Sequence, residues 1–532
     1  MSRDTADLAA DVIVVGAGSA GAALAARLSE DPSVSVLLLE AGGPDKALEL
    51  HVPAAFSKLF RSAYDWSYDT VPQPELEGRT IYWPRGKTLG GSSSLNAMMW
   101  VRGFAADYDE WADAAGPRWS WESLLPYLDR VEATQPVGPQ RDPRPHTAAF
   151  LEGVQQAGWQ VTAPNLAEGQ GFSQTMVTQE RGGRASTADA YLRPARRRRN
   201  LRVVTGALVR RVTFATDGEG EPRATGVYVE IDGIPRHALA RREVILAGGA
   251  INTPQLLMLS GIGPAAHLAE HGVPVLVDAP GVGENLQDHL VTGLAPGARP
   301  GTLYGAERPG QLVRYLASRM GMLTSNVAEA YGFIRTEEAD AAGVPAGLPD
   351  VEIIFAAVPY IGEGLVPPPA EGVTVGAILL RPRSRGSIRL ASADPADKPL
   401  IDPGYLADPV DVATLHAGLA ACERIIATPA MRAVTTGTWV QPAGGEGMSE
   451  RERAELSLRR YSHTLYHPVG TARMGADDGA VVDPELRVRG VRGLRVADAS
   501  VMPTVIRGHT NAPAIVIGEV AADLVAAAVT GR

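Results

Sequence analysis

At 532 residues the chain is longer than one hydrophobic core usually serves, so two lobes are expected. The composition, 45% hydrophobic and 21% charged, is that of a globular protein, and 60 acidic against 50 basic residues give a net charge of −10. This acidity argues against a nucleic-acid partner, and the single cysteine, Cys422, excludes an intrachain disulfide and a cysteine-built metal centre.

The apolar, β-branched run Asp11 to Val15 predicts a buried strand. It leads into a glycine motif instead of a cleavage site, so no secretory signal is read and a cytoplasmic location is expected. Gly16-Ala17-Gly18-Ser19-Ala20-Gly21 opens a helix that runs to about Ser29, and Val34 to Glu40 predicts a second buried strand. This is a β–α–β unit with a dinucleotide fingerprint. Gly16 permits the tight turn, Gly18 lets the backbone approach a pyrophosphate, and Gly21 lets the helix pack close to the strand. The helix start offers free N–H groups and a positive dipole end to phosphates. Glu40 ends the second strand, where an acid accepts hydrogen bonds from a ribose and disfavours a 2′-phosphate. The fingerprint alone does not separate FAD from NAD.

Further along, Gly86 to Asn96 is a glycine and serine loop whose small side chains and exposed N–H groups suit a phosphate or a ring edge. The run Arg196 to Arg199 reads as a solvated helix end or surface turn in preference to a polyanion site. Glu243 to Ala247 predicts a strand, followed by Gly248-Gly249 and a helix after Thr253. Gly386 to Leu390 alternates as antiparallel strands do. Leu494 to Asp498 predicts another strand. Ala512 to Val529, interrupted by Glu519 and Asp523, predicts an amphipathic C-terminal helix and no membrane span. The expected fold is therefore α/β. A Rossmann-type nucleotide domain is drawn from residues 1–110, 196–295 and 456–532. A discontinuous α+β substrate domain built on an antiparallel sheet is drawn from 111–195 and 296–455.

Several stretches together resemble the glucose–methanol–choline (GMC) flavoprotein oxidoreductases, and most of all their choline-dehydrogenase-like branch. They are Gly86 through Gly103, Gly249 through Gly263, Gly281 through His289, His467 through Thr471, Val496 through Ser500, and Asn511-Ala512-Pro513. The resemblance implies a bound FAD between the two lobes. Its implied contacts are Gly16, Gly18, Ser19, Gly21, Glu40 and Ala41 from the first unit. Arg85, Gly90, Gly91, Ser92, Asn96, Ala97 and Met98 come from the loop region. Val209, Ala247, Asp498, Ala499, Asn511, Ala512 and Pro513 complete the set, with Val209 at the adenine end. Leu95 stands where some relatives carry a histidine bonded to the flavin, so non-covalent FAD is expected.

Oxidising an alcohol needs a base of near-neutral pKa within reach of the hydroxyl. His467 precedes Pro468, which holds its backbone on an ordered turn. From the residues alone a structural histidine stays open; the resemblance implies the active-site one. It further implies Asn511 as the partner that orients the hydroxyl, since an amide can donate and accept but takes no proton. His509 would point to the same side as Asn511 on an extended segment, and its role is left open. His463 is expected to pack, with no metal site. Glu329 either faces the substrate cavity or is paired within the lobe. Ile354 stands where choline-oxidising relatives can carry a histidine. With Phe355 and Tyr466 it suggests an apolar pocket and a larger or more hydrophobic alcohol. The function expected is hydride transfer from the CH–OH group of an alcohol to flavin N5, then to dioxygen or another acceptor. Two alternatives are a redox-silent, FAD-containing lyase of hydroxynitrile-lyase type and a decarboxylase using Arg102 or Arg507.

Overall fold

The computed structural model describes residues 8–216 and 220–530. Strands Leu201–Val204, Val36–Leu39, Ala9–Val15 and Ile234–Leu246 lie side by side and parallel, and Leu494–Val496 adds a further parallel strand beside Ile234–Leu246. Helices cover this sheet, so its strands are buried on both faces and read as continuous apolar runs. Ile234–Leu246 is long enough to serve twice. Its first half pairs antiparallel with Pro222–Ile231, which pairs with Ala207–Thr216; its second half joins the parallel core.

The helices Ser19–Leu28 and Asn511–Thr530 pack against each other. A side chain at Gly518 would collide with the backbone of Ala20, so the approach requires glycine. The C-terminal helix is amphipathic only in its last part, where Asp523, Ala527 and Ala528 are exposed and Val525 and Val529 buried; Ala512 through Ala522 are all buried. It is long and apolar enough to cross a membrane, but 72% of its most apolar window is buried inside the protein, where it serves as a core helix. Glu519, the interruption in its sequence, is buried too. Arg27 at 3.0 Å, Arg130 at 2.8 Å and the Tyr191 hydroxyl at 2.8 Å compensate it.

The second sheet is antiparallel throughout, in the order Thr435–Gln441, Leu290–Ala298, Thr374–Leu379, Val351–Ala356, Ala328–Ile334, Gly171–Gln174, with His463–Thr464 beside Leu290–Ala298. Helix Pro409–Ile426, which carries the buried Cys422, covers one face. The other face looks into a cavity. These pairings move two expected boundaries. Leu290–Ala298 lies wholly in the antiparallel sheet, where a division at 295 would cut it, and His463–Thr464 belongs to that sheet as well. Helix Trp121–Thr134 packs on the C-terminal helix, hence on the nucleotide side. Ser387–Arg389 pairs with Leu400–Asp402 as a small hairpin. Arg196, Arg197 and Arg199 are exposed on the turn after Arg193–Ala195.

Candidate active site

A cavity of about 350 Å³ runs between the two sheets. One wall comes from the C-terminal ends of the parallel strands, at Val15, Leu39 and Ala247, where open α/β sheets bind their ligands. The opposite wall comes from alternate residues of the antiparallel sheet: Val291 and Gly293, Ile354 and Ala356, Thr374 and Gly376.

At the nucleotide end, Gly16 has φ +102°, and a side chain there would strike the Ala247 carbonyl. A side chain at Gly21 would strike the Gly16 carbonyl, and one at Gly91 would come within 2.7 Å of the Gly18 Cα. The glycine turn and the Gly86–Asn96 loop are thus packed backbone on backbone, and Gly18 turns its open side to the cavity. The helices starting at Ser19 and Asn511 both begin on the cavity wall. The Ser19 Oγ donates to Asn511 Oδ1 at 2.7 Å and ties the two starts together. Two helix N-termini aimed at one place suit a pyrophosphate. Glu40 accepts from the Ala17 and Gly42 N–H groups at 2.8 Å each. Burial pushes its carboxyl up to about 7 against these bonds and the charge of Lys87. These residues fit a dinucleotide.

At the other end, the His467 N–H donates to Asp288 Oδ1 at 2.7 Å, and Asp288 Oδ2 accepts from Thr464 Oγ1 at 2.6 Å and from the Tyr405 hydroxyl. Burial raises Asp288 to about 6, opposed by those bonds. Tyr466, just before His467, is held at φ +69°, a strained conformation for a bulky residue, and Arg85 Nη2 donates to its carbonyl at 2.6 Å. The peptide that leads into His467 is therefore held at both its C=O and its N–H. Its ring lies 4.8 Å from that of His509, at 76°. His509 Nε2 is 3.0 Å from Glu352 Oε1. On its other flank, His467 Nδ1 is 2.9 Å from His289 Nδ1. Burial, with lesser contributions from His509, His289 and Arg85, holds His467 well below the ordinary histidine range, which leaves the ring uncharged in the free site.

The sequence assigned the partner of His467 to Asn511, and the geometry corrects this: the Asn511 amide is turned to Ser19, and His509 is the side chain beside His467. Two expected substrate contacts are also displaced. Glu329 is off the cavity, its oxygens taken by the Arg144 N–H at 2.6 Å, Thr147 Oγ1 at 2.5 Å and Ser325 Oγ at 2.6 Å. Phe355 points to the opposite face of its strand and stacks on Phe150, 4.7 Å between centroids. Ile354 and Tyr466 do line the cavity. Of the expected cofactor residues, Gly21, Gly90, Ala512 and Pro513 shape the walls from behind; the others reach the surface. His463 lies partly over the Tyr466 ring, 6.3 Å away at 29°, and burial lowers it to about 4. Arg102 pairs with Glu132 at 2.5 Å and Arg507 with Asp107 at 2.5 Å, so neither serves the cavity as a carboxylate anchor.

Three residues at the site escaped the sequence reading. Glu352 sits two residues before Ile354 on the same strand, and the period of two would have put both on the cavity face. Asp288 and His289 lie in the stretch Gly281 through His289, but nothing local connects them to a turn nearly 180 residues later.

The family model for the GMC oxidoreductases matches residues 10–291 and 382–518 in its N- and C-terminal parts. The chain belongs to that family of oxidoreductases. It is 42% identical to human mitochondrial choline dehydrogenase over 96% of this chain and 89% of that one, and 40% identical to an alcohol dehydrogenase [acceptor] of Pseudomonas putida over 97% and 95%. The crystal structure of pyridoxine 4-oxidase from Mesorbium loti superposes with a TM-score of 0.85 at 31% identity, covering 97% of this chain and 98% of that one.

Proposed function

We propose that the protein oxidises the CH–OH group of an apolar alcohol with non-covalently bound FAD. The reading is carried by one observation: His467 and His509 converge at one end of a cavity whose other end is a dinucleotide cradle. FAD, when bound, supplies the hydride acceptor. His467 takes the hydroxyl proton. His509, held by Glu352, aligns the oxygen, the role the sequence had given to Asn511. Loss of the hydroxyl proton makes the adjacent C–H bond a better hydride donor, and the buried surroundings keep water from the exchange.

The apolar side chains Phe56, Phe60, Val327, Ile354 and Leu465 line the substrate end, and Asn326, Tyr360, Gln441, His463 and Tyr466 add uncharged polar groups to the cavity wall. The acidic residues on the described wall are Glu40 and Asp498, and both stand at the nucleotide end with backbone N–H groups on their oxygens. A cationic alcohol such as choline thus meets no free carboxylate. In an anaerobic panel, medium-chain and aromatic alcohols are expected to bleach the flavin faster than choline. Faster bleaching by choline would overturn the substrate class, and cleavage of a cyanohydrin without bleaching would favour a lyase.

Leu95 packs with Leu50 and Leu59 and offers no nucleophile. Acid-precipitated protein is expected to release its yellow colour to the supernatant. Colour retained in the pellet would contradict non-covalent binding.

A further inference from the structure

His289 plays no part in the reaction above, yet it is wholly buried and touches the ring of His467. Its Nε2 lies 3.2 Å from the Leu380 carbonyl, and its Nδ1 lies 2.9 Å from His467 Nδ1. A carbonyl oxygen only accepts, so His289 Nε2 carries a hydrogen. Burial pushes the pKa of this ring down to about 3, with Arg381 and His509 adding to the effect against the carbonyls of Leu380 and Ile506. A neutral imidazole has a single N–H, so His289 Nδ1 presents a lone pair. Two nitrogens 2.9 Å apart need one hydrogen between them, and His467 must supply it.

We infer that His289 is a positioning residue: it accepts from His467 Nδ1–H and so leaves the lone pair of His467 on Nε2, the nitrogen that takes the hydroxyl proton. The second clause rests on the reading of His467 as the base; the first does not. The arrangement needs no rearrangement during the reaction. When His467 gains a proton on Nε2, its Nδ1–H keeps the same acceptor, and the bond becomes charge-assisted. The acceptor is a neutral ring and not a carboxylate. Asp288, the nearby acid, is engaged with the backbone N–H of His467.

The test reads the tautomer and the turnover separately. Nitrogen-15 spectra of histidine-labelled holoenzyme near neutral pH distinguish an Nδ1–H from an Nε2–H imidazole, with the His467 signals assigned by their loss in His467→Gln. His467 is expected as the Nδ1–H form. His289→Leu removes the acceptor and is expected to give a mixture of tautomers. Its kcat should fall about 10- to 100-fold, the worth of one buried unpaired N–H, while KM and FAD content change little. His289→Asn places an amide oxygen near the lost nitrogen and is expected to restore the tautomer and part of kcat. A wild-type spectrum with the hydrogen on Nε2 overturns the inference even if the Leu variant does not fold. So does a folded Leu variant with unchanged tautomer and kcat. Failure of every alcohol to bleach the wild-type flavin would instead overturn the base reading, with the tautomer still read directly.

Discussion

His467→Ala is expected to lower the rate of flavin reduction by an apolar alcohol about 10²–10⁴-fold, the usual worth of a positioned general base, while the purified protein stays yellow. The two halves of this expectation come from different parts of the site. The anchors of the turn survive the substitution. Asp288 accepts from the backbone N–H of residue 467, and Arg85 donates to the carbonyl of residue 466. The dinucleotide cradle of Gly16, Gly18 and Gly91 is built from other segments. What disappears is the neutral imidazole between His289 and His509. Rapid-mixing measurement under anaerobic conditions separates the reductive step from reoxidation. A reduction rate within a few-fold of wild type would remove His467 from the base role.

Asp107→Ala is expected to cost about 3–5 kcal/mol of stability, the penalty for leaving one partner of a buried ion pair alone. Arg507 is 1% exposed and Asp107 is fully buried, with Arg507 Nη1 2.5 Å from Asp107 Oδ1. Asp107 also accepts from the Arg507 N–H at 2.9 Å and from the Phe104 N–H at 3.1 Å, which caps the helix Ala105–Ala115. Its removal strands a guanidinium in the interior and frees a helix start at once. Arg507 stands two residues before His509, so the damage is expected to reach the site and lower kcat as well. Denaturant unfolding of the holoenzyme measures the first effect. Restoring much of the stability with Asp107→Leu and Arg507→Met together would show that the cost is the unpaired charge. A single-variant loss below about 1 kcal/mol would mean that Glu110, 3.6 Å from Arg507, already suffices as its partner.

The parts of the protein that could be read in advance are those whose physics is local. Gly16, Gly18 and Gly21 stand in one turn between a strand and a helix, and a turn's conformational demands are written in consecutive residues. The strands Ala9–Val15 and Val36–Leu39 were legible for the same reason. The partner of His467 was not. His509, His289 and Asp288 reach it through contacts between segments far apart in the chain, and side-chain direction in irregular backbone has no period to count. Asn511 was misplaced because it opens a helix, whose first residue turns toward the neighbouring helix start at Ser19 and away from the turn at His467. Phe355 was misplaced by one residue on a strand, which is enough to reverse its face. The helix Gly249–Leu259 starts earlier than Thr253 because Asp498, on a distant segment, accepts from the Gly249 N–H at 2.9 Å. Glu329 kept two readings in the sequence, and three hydrogen bonds from its own lobe decide for the paired one.

His467 and His509 are proposed to serve the oxidation of an alcohol whose hydride a bound flavin would accept. This role is tested most directly by an anaerobic single turnover, in which holoenzyme is mixed with excess of an apolar primary alcohol and both the flavin absorbance and the product are followed. The flavin is expected to bleach, with one equivalent of the corresponding aldehyde formed per flavin. A flavin that stays oxidised with every alcohol offered, or one that bleaches without yielding the carbonyl product, would contradict it.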